Sequence, residues 1–311
     1  MTGEYTNKFE TYKNIALHNG IKFDNKEDEQ ALDNTIMDFI NLEEQKEEKE
    51  LENKRKQKEY LDKNNKFKNC VKSHLGSFYF SYYNIIIDKL SPQNLTRFIY
   101  LCCFMNYKNQ LVHNKHGRQI PIYENELEEV LKLKKTETYK TKTQLIEQGL
   151  LIVNPNDKSL MINDCYCIKG EPIKSPKKVE RARLFEDGIK DIYLKSLPKE
   201  HKNLAILFRL LPYVNLRWNI VCKDVTEEIK ENIVPYELKE VCNIIGEKNI
   251  TRFKNKLMNI TVFDEPVICL GTIKNKTSIS INPKIYYKGS VGCTNELTFL
   301  LVLFDSRKNM K

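Results

Sequence analysis

At 311 residues, with 41% hydrophobic and 30% charged positions, the chain has the composition of a folded globular protein long enough for two cores. Its formal charge of +9 is unevenly spread: residues 1–65 hold 11 Lys/Arg against 16 Asp/Glu, and the remainder 40 against 26. An acidic segment thus precedes a basic body suited to a polyanion, nucleic acid before a membrane surface, and the longest apolar run, 297–304, is far short of the ~20 residues that cross a bilayer.

The nine cysteines are odd in number and irregularly spaced, and the N-terminus is polar with no signal peptide. Both features point to a reducing cytoplasm and against a disulfide framework. Residues 1–24 carry scattered apolar positions that fit a short docking helix. From Glu27 the sequence EDEQALDNTIMDFINL places Leu32, Ile36, Phe39 and Ile40 on one helical stripe. It is followed by EEQKEEKELENKRKQKEY, in which Glu50 with Lys54 and Glu52 with Lys56 stand four apart in the favourable order. Residues 1–65 are therefore expected to be a charged helical or partly disordered segment. Apolar a and d positions stop after Leu42, which excludes a long coiled coil and leaves the 31–42 stripe as the place where two protomers of a homodimer would pair.

Residues 76–90, GSFYFSYYNIIIDKL, are aromatic and β-branched and read as a strand or buried entry segment. No basic residues interleave with the aromatics, so they suit a core better than a base-stacking platform. Ser91-Pro92 opens a helix whose apolar face is Leu95, Phe98, Ile99, Leu101, Cys102 and Phe104. QLVHNKHGRQIPI gives two extended runs around a turn at 114–117. Helices are expected from Glu124 to about Leu133 and from about Glu137 to Gln148, with Gly149 as the stop. A strand at 150–153, a turn at 154–157 and a returning strand at 159–164 follow. A linker at 171–176 then leads to VERARLFEDGIKDIYLKSL, read as a connecting helix within 173–197.

The same order then recurs. A helix over 204–211 ends at Pro212, 215–222 is extended, 226–234 is a loop, Pro235 opens a helix that Gly246 breaks, and Asn249 starts the next. Residues 262–270 pair with 277–282 around Lys274-Asn275-Lys276. The repetition is plainest in SLMINDCYCIKGE (159–171) and SISINPKIYYKGS (278–290). Glu126–Val130 matches Glu237–Val241, Leu145 matches Leu257, Ile162-Asn163 matches Ile281-Asn282, and Lys169-Gly170 matches Lys288-Gly289. The offset grows from 111 to 119 as loop residues are added. The expected fold is mainly α with small β-hairpins (α+β): two tandem winged-helix domains at 66–172 and 198–292 and an apolar tail at 293–311.

A helix-turn-helix followed by a hairpin places its last helix in the major groove and its hairpin tip on the backbone. In the second copy Ile250, Phe253 and Leu257 face the core, which turns Lys248, Thr251, Arg252, Asn255 and Lys256 outward. These types suit base edges and phosphates: Arg for guanine, Asn for adenine, Lys and Thr for either. In the first copy Thr138, Thr141 and Leu145 make a poorer stripe, with Lys135, Thr136, Tyr139, Lys140, Lys142 and Thr143 outward as a phosphate-gripping face. The hairpin tips carry Lys158 in one copy and Lys274, Asn275 and Lys276 in the other.

The tail ISINPKIYYKGS and the Phe208-Arg209 helix resemble the Firmicute plasmid replication proteins of the RepL type. The first copy, from GSFYFSYYN through LTRFIYLCCFMNYKNQLV to ELEEVLKLKKTETYKTKTQLIEQGLLIV, is similar to phage and plasmid helix-turn-helix proteins. The similarity covers about 76–170 and 203–290 and rests largely on core positions. It implies winged helices that bind double-stranded DNA, most directly as a replication initiator at origin repeats that recruits host replication machinery. Regulation of transcription and a protein-binding adaptor are the alternatives.

Catalysis is not expected. The chain has no Gly-x-x-x-x-Gly-Lys phosphate loop. His113-Asn114-Lys115-His116 lacks the His-hydrophobic-His order of rolling-circle nickases. Cys102-Cys103 with His113 and His116 matches no zinc-finger spacing, and adjacent Cys on an apolar helix face are core residues. Cys165 and Cys167 fall on one face of a strand and are likewise read as packing. No metal or cofactor is expected.

Overall fold

The computed structural model describes residues 3–21, 26–170 and 180–308. The protein is a mixed α+β chain that divides into two compact units, Met1–Asn65 and Lys66–Lys311. Among the described residues no helix is long and apolar enough to cross a membrane.

In the first unit α1 (Gly3–His18) packs against the opening turns of α2 (Lys26–His74). The Tyr12 hydroxyl donates to Glu43 at 2.7 Å and its ring meets Phe39 edge-on, while Lys13 pairs with Asp33 at 2.8 Å. Ile36 and Ile40 are buried and Phe39 is half exposed. Part of the stripe expected to pair protomers is thus already used within this unit. From Leu42 to Asn65 α2 is exposed on nearly every side and is laced by pairs such as Lys56–Glu52 at 2.6 Å.

The second unit opens on the last turns of α2, then β1 (Phe78–Ser81), α3 (Tyr83–Ile86), α4 (Pro92–Cys102) and the hairpin β2 (Val112–Lys115) and β3 (Arg118–Pro121). Next come α5 (Leu127–Leu131), α6 (Lys135–Glu147), the hairpin β4 (Leu151–Val153) and β5 (Leu160–Ile162), and β6 (Cys167–Ile168). The order recurs as β7 (Ala182–Phe185), α7 (Glu186–Lys195), α8 (His201–Arg209), α9 (Leu238–Ile245) and α10 (Ile250–Met258). A short ladder of β8 (Thr261–Val262) and β9 (Glu265–Pro266) leads to the hairpin β10 (Ile268–Ile273) and β11 (Lys276–Ile281), then β12 (Tyr286–Tyr287) and α11 (Thr294–Asp305).

Three expectations are corrected here. The repeated phrase is two strands: β5 and β11 return from the hairpins, the chain turns at Asn163 and Asn282, and β6 and β12 join a different sheet. Cys165 therefore lies in the turn, exposed, while Cys167 is buried in β6. The expected connecting helix starts only at Glu186, because Ala182–Phe185 is a strand; residues 171–179 of that linker lie outside the described residues. The apolar tail is the helix α11, with Leu297, Leu300 and Phe304 buried.

The antiparallel sheet runs β12-β7-β1-β6. Phe80 pairs with Arg183; outside them lie Ile168, next to Phe80, and Tyr287, next to Arg183. Exchanging the two halves maps this row onto itself, so an approximate two-fold axis passes between β1 and β7. Successive strand residues face opposite sides. Tyr79, Ser81, Ala182 and Leu184 face the main core, and Phe78, Phe185 and Tyr287 face Phe67, Val71 and Leu297. The Arg183 guanidinium lies over the rings of Phe67, Phe78 and Phe80 at 5.1 to 5.6 Å, where cation–π attraction offsets part of its desolvation.

The core does not divide at the repeat boundary. Helices α4 and α8 pack on each other, and one apolar cluster runs from Tyr79 to Tyr286 through both halves. The expectation of two separate domains at 66–172 and 198–292 is therefore replaced by one body, because the first helix of each half serves as the cover of the other. The two lysines of the repeated phrase also cross over. Lys169 pairs with Glu186, the first residue of α7, at 2.6 Å. Lys288 lies over the ring of Tyr83, the first residue of α3, at 4.9 Å, and donates to the Val214 carbonyl at 3.0 Å. Burial brings its ammonium down to about 8.

Backbone geometry fixes the true alignment of the halves. Asn109 and Asn219 both have positive φ, and each side chain donates to β6 or β12, at the carbonyls of Cys167 and Tyr286, at 2.8 Å. Left-handed Lys132 and Gly246 end α5 and α9, and Glu126 and Glu240 accept from the main-chain N–H of Tyr123 and Glu237. Asn109 and Asn219 stand 110 apart and the pairs at α5 and α9 114 apart, so the Glu126–Val130 match to Glu237–Val241 is displaced by about one helical turn.

Gly188 in α7 shows how tightly the second half closes. A Cβ there would lie 1.9 Å from the Lys284 carbonyl oxygen. Gly188→Ala gains about 1 kcal/mol of helix propensity, yet is expected to destabilise the protein by about 2 kcal/mol or more through the clash. Because the core is shared, hydrogen exchange should speed up in α4 as well as in α8; loss of protection confined to the second half would refute the single core.

Candidate nucleic-acid interface

Helix α6 owes its position to a buried cation. Arg97 on α4 is 6% exposed, and its guanidinium reaches Glu137 at 2.9 Å, Thr141 Oγ1 at 3.0 Å and Asn94 Oδ1 at 3.2 Å. Thr141 in turn donates to Asn94 at 3.0 Å. The weak apolar stripe of Thr138, Thr141 and Leu145 is buried as expected. Thr141 serves there as a hydrogen-bonding partner for a charge that needs its donors satisfied.

With that face fixed, Lys135, Thr136, Tyr139 and Lys140 are exposed and Thr143 is half-buried. Lys142 is not free. It pairs with Glu124 and lies 5.7 Å from the centre of the Tyr139 ring. At the β4–β5 tip Lys158 is exposed with φ 62°, but the neighbouring Asp157 carboxylate, held below its usual range by hydrogen bonds from Ser159, shares the tip.

In the second half α9 ends at left-handed Gly246, and α10 starts after Asn249, whose side chain accepts from the Arg252 N–H at 3.0 Å. Phe253 and Leu257 are buried, whereas Ile250, expected in the core, is 37% exposed because it lies in the first turn, ahead of the packed face. Lys248, Thr251, Arg252 and Asn255 are exposed. Lys256 is turned back onto Glu247, whose carboxyl it holds below the usual range, and Arg252 stands 3.9 Å from the same carboxylate. Lys274 and Asn275, both with positive φ, form the exposed β10–β11 tip, and Lys276 pairs with Glu237 at 3.2 Å.

Lys142, Lys256 and Lys276 are thus corrected from free cations to paired ones. Surface pairs of this kind contribute about 0–1 kcal/mol, so a phosphate can displace the carboxylate at small cost.

Sequence reasoning missed what faces α10. Thr251, Arg252 and Asn255 form one wall of a cleft of about 620 Å³ whose opposite wall includes Lys195, Glu200 and Asn203. The readable signal was the dipeptide Asn-Leu at 94–95 and 203–204. Asn94 is satisfied by Arg97, but Ile206 stands at the matching position in α8, and Asn203 Oδ1 is buried without a hydrogen-bond partner. Cys102 and Cys103 are buried, and among the described residues no three His, Cys, Asp or Glu side chains are grouped to hold a metal. Comparison of the chain with protein-family models, curated proteins and solved structures gives no match.

Arg97 also reaches the other half. Its Nε donates to His201 Nδ1 at 3.3 Å, and the His201 ring stacks on Tyr193, which stacks on Tyr100 at 3.7 Å. Burial, with the adjacent Arg97 charge, lowers His201 to about 4. The unfolded chain therefore takes up a proton near pH 6.5 that the folded chain refuses until about pH 4. Stability from this group is complete above pH 6.5 and is lost as the pH falls toward 4. In parallel urea titrations His201→Gln should flatten the stability difference between pH 4.5 and 7 by about 2 kcal/mol; an unchanged slope would mean that His201 is not held neutral.

Proposed function

We propose that the two halves of the single body 66–311 each carry a winged helix that binds double-stranded DNA, with α6 and α10 as the major-groove helices and β4–β5 and β10–β11 as the wings. The observation that carries this reading occurs twice. A short helix ends on a left-handed residue, a tight turn follows, a second helix presents Lys, Thr, Arg or Asn outward, and a hairpin ends in an exposed lysine. The basic balance of residues 66–311 supports the same partner.

The two faces are unequal. Tyr139 and Lys140 suit phosphate and sugar, whereas Thr251, Arg252 and Asn255 suit base edges. Two unequal faces related by an approximate two-fold axis would read an imperfect palindrome and give the bound protein a direction along the duplex. A direction suits an origin, where machinery is loaded in one orientation. We therefore propose replication initiation at repeated sites of a plasmid or phage as the role, with no catalytic step of its own. Regulation of transcription would use the same faces on promoter DNA.

Gel-shift titrations with origin and promoter duplexes test this. Six to ten phosphate contacts predict an affinity loss of about 10³ to 10⁵ between 50 and 200 mM salt. Arg252→Ala should cost about 1–3 kcal/mol on the preferred sequence and little on others, while Lys274→Ala should weaken all duplexes alike. Binding that is absent, or insensitive to salt, would leave the fold as a protein-interaction module.

A further inference from the structure

Between their first and second helices the halves differ sharply. After Val112 the first half extends the hairpin β2–β3. After Cys222 the second half has instead the loop 223–234, which carries Asp224, Glu227, Glu228 and Glu231 against two lysines. The hairpin has the opposite character. No Asp or Glu occurs between Asp88 and Glu124, and its tip places Lys115 directly across from Arg118. His116 and Gly117 both take positive φ to make the two-residue turn.

Asn114, Lys115, His116, Arg118 and Gln119 are exposed. Among the described residues Lys115 and Arg118 have no carboxylate partner, unlike Lys142, Lys256 and Lys276. A two-stranded ribbon that buries almost nothing gains little stability from its own contacts, so core packing does not account for its length or its charge.

The two hairpins of the first half share one base. Gln110 pairs antiparallel with Met161, and the Leu111 N–H donates to Leu160 O at 2.8 Å. Tyr123 pairs antiparallel with Ser159, so both ends of the β2–β3 ribbon are tied to the strand that returns from the Lys158 tip. At the base, Ile122 accepts from the Leu160 N–H at 2.9 Å, which anchors both hairpins on one residue.

We propose that β2–β3 is a second arm of the first half that grips the phosphate backbone of a DNA duplex beside the β4–β5 wing, with Lys115 and Arg118 as the contacting side chains. This rests on the DNA-binding reading and adds a contact that the second half lacks. The first half then holds the duplex through two hairpins and contributes grip, while α10 contributes choice of sequence. Each phosphate neutralised releases condensed counterions, so the arm has a thermodynamic signature separate from sequence preference.

The test uses the full chain with Lys115→Ala/Arg118→Ala, whose exposed positions leave the circular dichroism and melting unchanged. The slope of log affinity against log salt on a duplex should fall by about 2, affinity at low salt should drop about tenfold or more, and nuclease protection should shorten at one end of the footprint only. Lys115→Arg/Arg118→Lys should restore the slope, and Lys274→Ala should instead change the opposite end. If the unaltered chain binds duplex and the double variant keeps its slope and footprint, the arm is wrong and the DNA reading stands. If the unaltered chain binds no duplex, both are overturned.

Discussion

The structure depends on how one buried guanidinium is satisfied. Arg97 is removed from water, and a charge in that position is tolerated only when nearly every donor finds an acceptor. Those acceptors come from three helices: Asn94 on its own α4, Glu137 and Thr141 on α6, and His201 at the start of α8. The face that α6 shows to solvent, the position of α6 against α4 and the contact between the two halves are thus set by one side chain. A hydrophobic residue in its place would pack well enough but would leave the rotation of α6 free to vary. Ile206 at the matching position of α8 illustrates the difference: there Asn203 is left with an unpaired oxygen beside an open cleft.

Around this point the two halves are built as each other's cover. β1 and β7 pair across an approximate two-fold axis, α4 and α8 fill the space beneath, and Lys169 and Lys288 each reach the helix start of the other half. Neither half would bury its first helix alone. A shared core also fixes the relative orientation of α6 and α10, which flexibly linked domains would not. On the proposed DNA-binding reading, that rigidity spares an ordering cost when both helices engage. Symmetry of scaffold combined with asymmetry of surface is the main feature here. The basic hairpin belongs to the first half, and the acidic loop 223–234 and the long β10–β11 hairpin belong to the second.

Much of this was legible in the chain. Pro and Gly punctuation located α4, α9 and the end of α6, the helical period located the buried faces of α6 and α10, and the repeated phrase revealed the duplication. Three things were hidden for identifiable reasons. Ala182–Phe185 did not look like a strand because Arg183 occupies a position where aromatic rings take the place of an apolar neighbour. The Glu126 match was displaced because short amphipathic helices look alike when shifted by one turn. The pairing of Lys142, Lys256 and Lys276 was invisible because their carboxylates, Glu124, Glu247 and Glu237, lie 9 to 39 residues away.

By itself the sequence determined the local elements, the duplication, the acid–base division of the chain and which helix faces are polar, because these follow from periodicity, turn chemistry and composition. Only the tertiary structure decided that the duplicated units share one core, that the repeated phrase splits between two sheets, and that the β2–β3 and β4–β5 hairpins share one base. Those are matters of strand pairing and long-range side-chain partnership. They depend on which distant residues meet, and no local pattern carries that information.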